Sequence, residues 1–241
     1  INVIAYTRTL CLIKMKKVIK ILLLIIFLTG ATISSPIRNG LTSIMEVKPI
    51  SKSTLNQLNQ HKEVISHYAD KYDVPKEAIS ASIGSEINRR IYINKITDYF
   101  QDIFFASSLC TESLLKNSLS LKIESRYINI SKQDVGLGNI KFQTAWDVYL
   151  NNQNELPNIL SKKDLVNYLL TDSGNIHIAS LVILEAKSLF SKYCTEMDKL
   201  SRNNVYYSYY KQGESYYIRY KKNSTFKDLQ FLVKEEKFWK N

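Results

Sequence analysis

The sequence predicts a mainly α domain, with five to eight helices and little or no sheet. Three observations carry this expectation. From Leu58 onward, apolar residues recur at spacings of three and four, the period of one face of a helix. The 241 residues are 45% apolar and 23% charged, the balance of a globular chain with one sizeable core rather than a disordered one. Only 7 Gly and 4 Pro occur, which excludes collagen-like and Pro-rich architectures. The formal net charge of +11 points to an anionic partner: nucleic acid, a membrane surface or an acidic polymer.

The N-terminal stretch is read first. Met15 is followed by Lys16 and Lys17, then by the apolar run Ile21 to Leu28 and by Thr29-Gly30-Ala31. A basic start, a short apolar run and small residues are the parts of a secretory signal peptide. Residues 15–31 are therefore expected to be a signal peptide cut after Ala31, or an N-terminal membrane anchor. The run is short beside the roughly 20 apolar residues of a membrane span. Residues 1–14 read as upstream read-through, and 32–57, with Pro36 and Pro49, as an extended lead-in. The expected location is extracytoplasmic, periplasmic or secreted. There, Cys110 and Cys194 either pair or stay as two buried thiols. With three His and no metal-ligand spacing, neither a metal nor a cofactor is expected.

The main domain is expected over 58–220. Val64, Ile65, Tyr68, Ala69 and Tyr72 mark its first helix, and Asp73-Val74-Pro75 a break before the next. That helix runs from about Pro75 to Tyr92. Ile79, Ile83, Ile87 and Ile91 form one buried row on it, with Glu86 at the edge of the apolar face. A helix over about Ile96 to Leu109, with Tyr99, Ile103 and Ala106 inward, and another near Glu112–Lys122 follow. Ile130 to Ile140 reads as a loop, and Phe142–Leu150, Lys162–Leu170 and Ile176–Lys199 as helices. The last should face Ile178, Leu181, Val182, Leu184, Glu185 and Leu189 inward. The stretch Tyr206 to Tyr220 holds seven Tyr, and 221–241 reads as a C-terminal amphipathic helix over Thr225 to Trp239.

The order of motifs around Glu86 is informative. Ser80-Ala81-Ser82-Ile83-Gly84-Ser85-Glu86 ends a helix, and Gly136-Leu137-Gly138-Asn139-Ile140-Lys141-Phe142-Gln143-Thr144-Ala145 follows. Asn175-Ile176 then opens a helix, and Tyr210-Lys211-Gln212-Gly213 comes last. This set resembles the lytic transglycosylases and goose-type lysozymes, over about Leu58 to Tyr217. Those proteins have a helix ending in a catalytic Glu, a G-x-x-Q segment leading to T-A, an N-[IL] helix and a Y-N-x-G loop. The chain reads as a divergent member. Ile87 stands where the family often has Ser, Asn139 where it has Gln, and Lys211 where it has Asn, and the stretch from Glu86 to Gly136 is long.

The resemblance implies a lysozyme-like fold and a peptidoglycan lytic transglycosylase, a carbon–oxygen lyase with muramidase-like specificity. Such an enzyme cleaves the MurNAc–GlcNAc β-1,4 bond with a single catalytic Glu and leaves a 1,6-anhydro-muramic product. Glu86 takes the catalytic place, and an apolar surround suits a carboxyl that must carry a proton. Gly136, Leu137, Gly138, Asn139 and Tyr210 take substrate-binding places. Tyr210 either orients Glu86 by a hydrogen bond or packs in the core. Asp134 holds the loop or assists Glu86. Asp98 and Asp102, four apart, read as a solvated helix face. The Tyr cluster reads as packing, with sugar stacking as the alternative.

The expected partner is the glycan strand of peptidoglycan, bound by a monomer. Two rivals remain. Basic and aromatic residues interleave in Tyr209–Lys222, as in a nucleic-acid binder, but export argues against that. A catalytically inactive lysozyme-like module that binds wall or a partner is the other. Five of the positive charges, Arg8, Lys14, Lys16, Lys17 and Lys20, fall in 1–31 with no acid. The remaining chain keeps +6, which suits an anionic wall without calling for nucleic acid.

Overall fold

A computed structural model of the chain describes residues 50–89, 99, 101–108, 110–116, 120–123, 126–130 and 133–222. The read-through, the signal or anchor segment, most of the lead-in, Ile91, Asp98 and the helix over 225–239 lie outside the described residues.

The described residues are mainly helical. In chain order they form α1 (Lys52–Gln60), α2 (Lys62–Tyr72), α3 (Lys76–Arg89), α4 (101–106) and α5 (Glu112–Lys116). Four short strands follow: β1 (Ser120–Ile123), β2 (Arg126–Asn129), β3 (Asp134–Val135) and β4 (Ile140–Lys141). Then come α6 (Phe142–Asn151), α7 (Lys162–Leu169), α8 (Asp172–Phe190), α9 (Lys199–Gln212) and α10 (Glu214–Lys222). The strands make two antiparallel hairpins, β1 with β2 and β3 with β4.

Two central helices organise the core. Every residue of α3 from Ala78 to Ile87 is buried, as is every residue of α8 from Gly174 to Ile183. The row Ile79, Ile83 and Ile87 is buried as its spacing requires. The opposite side of α3 is small and polar, and its hydroxyls are satisfied within the helix. Ser80 Oγ donates to the Lys76 carbonyl and Ser82 Oγ to that of Ala78, both at 2.8 Å. Small residues let neighbours close in all round, so α3 packs against α1, α2, α8 and α9. The Tyr-rich stretch packs as core: Tyr209, Tyr216, Tyr217 and Tyr220 ring Phe190 at centroid distances of 5.2 to 6.0 Å.

Several expectations are corrected. The lead-in is helical from Lys52, six residues before Leu58, because Ser51 caps α1 by accepting from Thr54 N. Ser51 N and Thr54 Oγ1 also donate to Asn88 Oδ1, at 2.9 and 3.0 Å, tying α1 to the end of α3. The helix near Glu112 stops at Lys116, and 120–123 is a strand. The loop over 130–140 contains the β3–β4 hairpin. On α4 the inward face is Gln101, Phe104 and Phe105, whereas Tyr99 is 64% exposed and Ala106 exposed. The larger Phe pair takes the core and turns the helix. Thr171 caps α8, so that helix begins four residues before Ile176 and ends at Phe190 rather than Lys199. Its Leu184, Glu185 and Leu189 are only half-buried. Cys110 and Cys194 are buried thiols, not joined in a disulfide. Among the described residues no helix is long and apolar enough to cross a membrane.

Candidate active site

Glu86 lies one turn from the C-terminal end of α3, with its side chain only 8% exposed. Its apolar neighbours on the helix, Ile83 and Ile87, are buried with it. The β3–β4 turn, residues 136–139, comes up against this point. Asn139 Nδ2 donates to Glu86 Oε2 at 3.2 Å.

The turn is shaped by its two glycines. It closes on a bond from Asn139 N to the Gly136 carbonyl at 3.1 Å. Gly136 has φ +71°, and a Cβ there would fall 2.2 Å from the Leu169 carbonyl oxygen. A Cβ on Gly138 would lie within 2.8 Å of the Tyr210 hydroxyl, Asn175 Oδ1 and Ile83 Cδ1. The glycines thus let backbone press directly against α3, α8 and α9. Asn139 is itself left-handed, with φ +49°. Asn tolerates that region better than a longer amide does, which gives a local reason for Asn where the family pattern has Gln.

Side chains from three helices clamp this turn. Asn175, completely buried on α8, accepts from Gly138 N at 2.7 Å and donates to the Val135 and Leu169 carbonyls, both at 3.0 Å. Asp102 Oδ1 accepts from Gly136 N at 3.0 Å. Asp102 is therefore a loop anchor and not part of a solvated face. Tyr210 donates to the Gly138 carbonyl at 2.8 Å. It bonds the turn and not Glu86, correcting one of its expected roles. Burial, then the charge of Asp134, pushes the Tyr210 phenol well up, so it stays a donor. Asp134 is buried in β3, and Leu137 packs half-buried on the core.

Lys211 was not among the expected site residues. Its ammonium forms an ion pair with Glu86 Oε1, and its side chain is only 12% exposed. The sequence holds little signal for it: Asn204, Tyr207, Ser208 and Lys211 share a helical spacing, but such a mostly polar row reads as solvated, and in the structure every residue from Asn203 to Tyr209 is buried. An ammonium and an amide donor on one carboxylate both favour its charged form, against the opposing effect of burial. Both contacts, with Lys211 and with Asn139, suit the carboxylate form of Glu86.

A second polar cluster lies between α2, α7 and α8. The His177 ring is 3% exposed and is hydrogen-bonded through Nε2 to the Tyr72 hydroxyl and through Nδ1 to the Tyr168 hydroxyl, the latter at 2.7 Å, one nitrogen donating and the other accepting. Tyr68 stacks on it at 4.2 Å. Burial lowers the His177 pKa to about 4, so the ring is neutral.

No protein-family model, curated protein or solved structure matches the chain. The reading of the site therefore rests on its own geometry. The structure brings together Glu86, Gly136, Gly138, Asn139 and Tyr210, five of the six expected residues, and adds Asn175, Asp102 and Lys211. Leu137 shares the turn and packs half-buried against the core.

Proposed function

We propose that the protein is an extracytoplasmic peptidoglycan lytic transglycosylase, a divergent member of the lysozyme-like fold, with Glu86 as its single acid and base. The observation that carries the reading is the contact of a buried carboxylate with a Gly-rich turn 53 residues away in the chain. In this reading the Glu86 carboxyl first gives its proton to the glycosidic oxygen between N-acetylmuramic acid and N-acetylglucosamine. The C1–O bond breaks, and the substrate's own acetamido group stabilises the positive charge left on C1. The Glu86 carboxylate then takes the proton of the muramic C6 hydroxyl, whose oxygen bonds to C1. The product is a 1,6-anhydro sugar, no water is consumed, and the carboxyl is regenerated. One carboxylate suffices, unlike the two-carboxylate hydrolases. Asn139 orients the Glu86 carboxylate, and Tyr210 and Asn175 hold the turn that presents Asn139.

Purified peptidoglycan digested with the wild-type protein should release 1,6-anhydro-muropeptides, read by mass spectrometry. Glu86→Gln should lower the rate by on the order of 10³-fold or more, because no other proton donor replaces it. Absence of anhydro products from the wild type, or equal rates for both proteins, overturns the reading.

The Lys211 ion pair favours a second reading, a glycan-binding module without cleavage, since an ionised carboxylate has no proton to give. Wall binding by sedimentation without any anhydro product is its signature.

A further inference from the structure

We propose that Lys211 is a lock on Glu86 that an anionic saccharide releases: a muramyl carboxylate draws the ammonium away, and the freed carboxyl takes up a proton. The proposal rests on the reading of Glu86 as a saccharide-site acid.

The geometry shows the closed state, and the surroundings of Glu86 define what its opening would do. With the pair closed, two buried side chains neutralise each other, and one Glu86 oxygen is taken by Lys211 while the other is held by Asn139. With the ammonium gone, a carboxylate would sit among Ile83, Ile87 and the turn backbone with the Asn139 amide but no opposite charge beside it. A buried, unpaired carboxylate is costly, and the group relieves that cost by taking a proton. The same surroundings that require Lys211 at rest therefore make an acid of Glu86 once Lys211 leaves. Lys211 is a positioning residue in this scheme and touches no reacting bond.

The other titratable groups near the pair leave Lys211 as the switch. Tyr210 is committed to the Gly138 carbonyl, and its phenol is pushed far up by burial. Tyr207, from the same helix, and Asp134, from β3, both act on Tyr210. Asp102 holds Gly136 N. On α3, Glu77 pairs with Lys199. From α1, Ser51 and Thr54 hold Asn88. From α2, Tyr72 is bound to His177 and Glu155, and from α8, Glu185 takes the Tyr209 hydroxyl. Lys211 is the cation within ion-pair distance of Glu86 among the described residues.

The chemistry also selects the ligand. A neutral chitin oligomer offers nothing to hold a displaced ammonium, whereas N-acetylmuramic acid carries a lactyl carboxylate, or a stem peptide ending in carboxylates. Charge is conserved across the exchange: one ion pair is replaced by another, and one proton is taken from water.

The test follows Glu86 by carboxyl-carbon NMR of the full chain labelled at Glu, with Glu86→Gln identifying the signal. In the wild type, a GlcNAc–MurNAc disaccharide should raise the Glu86 midpoint by about 1–3 pH units, the size of an opposite-charge effect at contact. Chitotetraose should leave it in place. In Lys211→Met the midpoint should already be high and indifferent to either saccharide, while Lys211→Arg should keep it low. No shift with the disaccharide, or equal shifts with both saccharides, overturns the lock, the titrations themselves being made on the wild-type chain. Equal midpoints in the wild type and Lys211→Met also overturn it. A shift without anhydro products from peptidoglycan leaves the lock standing and removes the transglycosylase reading, so the two fail separately.

Discussion

Helices α3 and α9 are joined at both ends by the same chemistry. At their N-terminal ends Glu77 pairs with Lys199 at 2.6 Å, and at their C-terminal ends Glu86 pairs with Lys211. The two helices thus run parallel, with acids on one and lysines on the other. The difference is water. At the first end the Lys199 side chain is 66% exposed, while at the second both partners are nearly sealed. In water each charge is solvated with or without its partner, so the outer pair is an accessory. In the interior each charge depends on the other, so the inner pair sets a protonation state. Identical residues thus serve as a surface contact at one end and as a chemical control at the other.

The largest way to break the comparison is a pair of double-mutant cycles. For the inner pair, Glu86→Gln removes the carboxylate that faces the Lys211 ammonium and should destabilise by about 3–5 kcal/mol in denaturant unfolding. The double variant Glu86→Gln/Lys211→Met should recover much of that loss, giving a strong coupling. A double variant whose loss equals the sum of the two single losses would show that the two charges act independently.

A second control on buried charge lies at His177. Its pKa is about 4 in the folded protein and near 6.5 when unfolded. Between these values the unfolded chain binds a proton that the folded one refuses. Stability should therefore be full above about pH 6.5 and fall, by up to about 3 kcal/mol, as the pH drops towards 4. Unfolding midpoints at pH 7 and pH 5 read this directly. His177→Phe should be less stable at pH 7 and should lose this slope between pH 6.5 and 4.

Tyr210→Phe sharpens the contrast without touching a charge. It removes the hydroxyl's bond to the Gly138 carbonyl and should cost about 1–2 kcal/mol. On the transglycosylase reading it should also slow wall digestion, as the turn presenting Asn139 loosens. At the bottom of the scale, Glu77→Gln, Lys199→Met and their double variant should each change stability by less than about 1 kcal/mol, with a coupling that fades in high salt. A coupling at Glu77–Lys199 as large as that at Glu86–Lys211 would remove burial as the distinguishing cause.

The helical character of the domain was legible where apolar period and caps agreed. The Ile79, Ile83, Ile87 row, the break at Asp73-Val74-Pro75, and helices α6 and α7 came from residues whose burial forces one face inward. The candidate site was partly legible for the same reason: Glu86 sits at the edge of that row, and Gly136 and Gly138 stand where only Gly fits. Other features were hidden by kind. Helix α1 buries only Thr54 and Leu58, so it lacks an apolar stripe and depends on the Ser51 cap and on Asn88. The two-residue strands β3 and β4 are too short for a period of two to register. On α4 two candidate faces compete, and the bulk of Phe104 and Phe105 decides between them only in three dimensions. Lys211 was passed over because a lysine is ordinarily solvated, and its burial depends on a carboxylate 125 positions earlier.

Asn175 has one further consequence. It reaches three backbone groups at once because it projects from α8 at one angle about the helix axis. Adding a single residue between Thr171 and Asn175 would turn that projection by about 100°, more than a quarter of the way around. The shape of the turn beside Glu86 is therefore keyed to helical phase. The exposed positions of that segment, Asp172 and Ser173, should accept substitutions more readily than any change in its length.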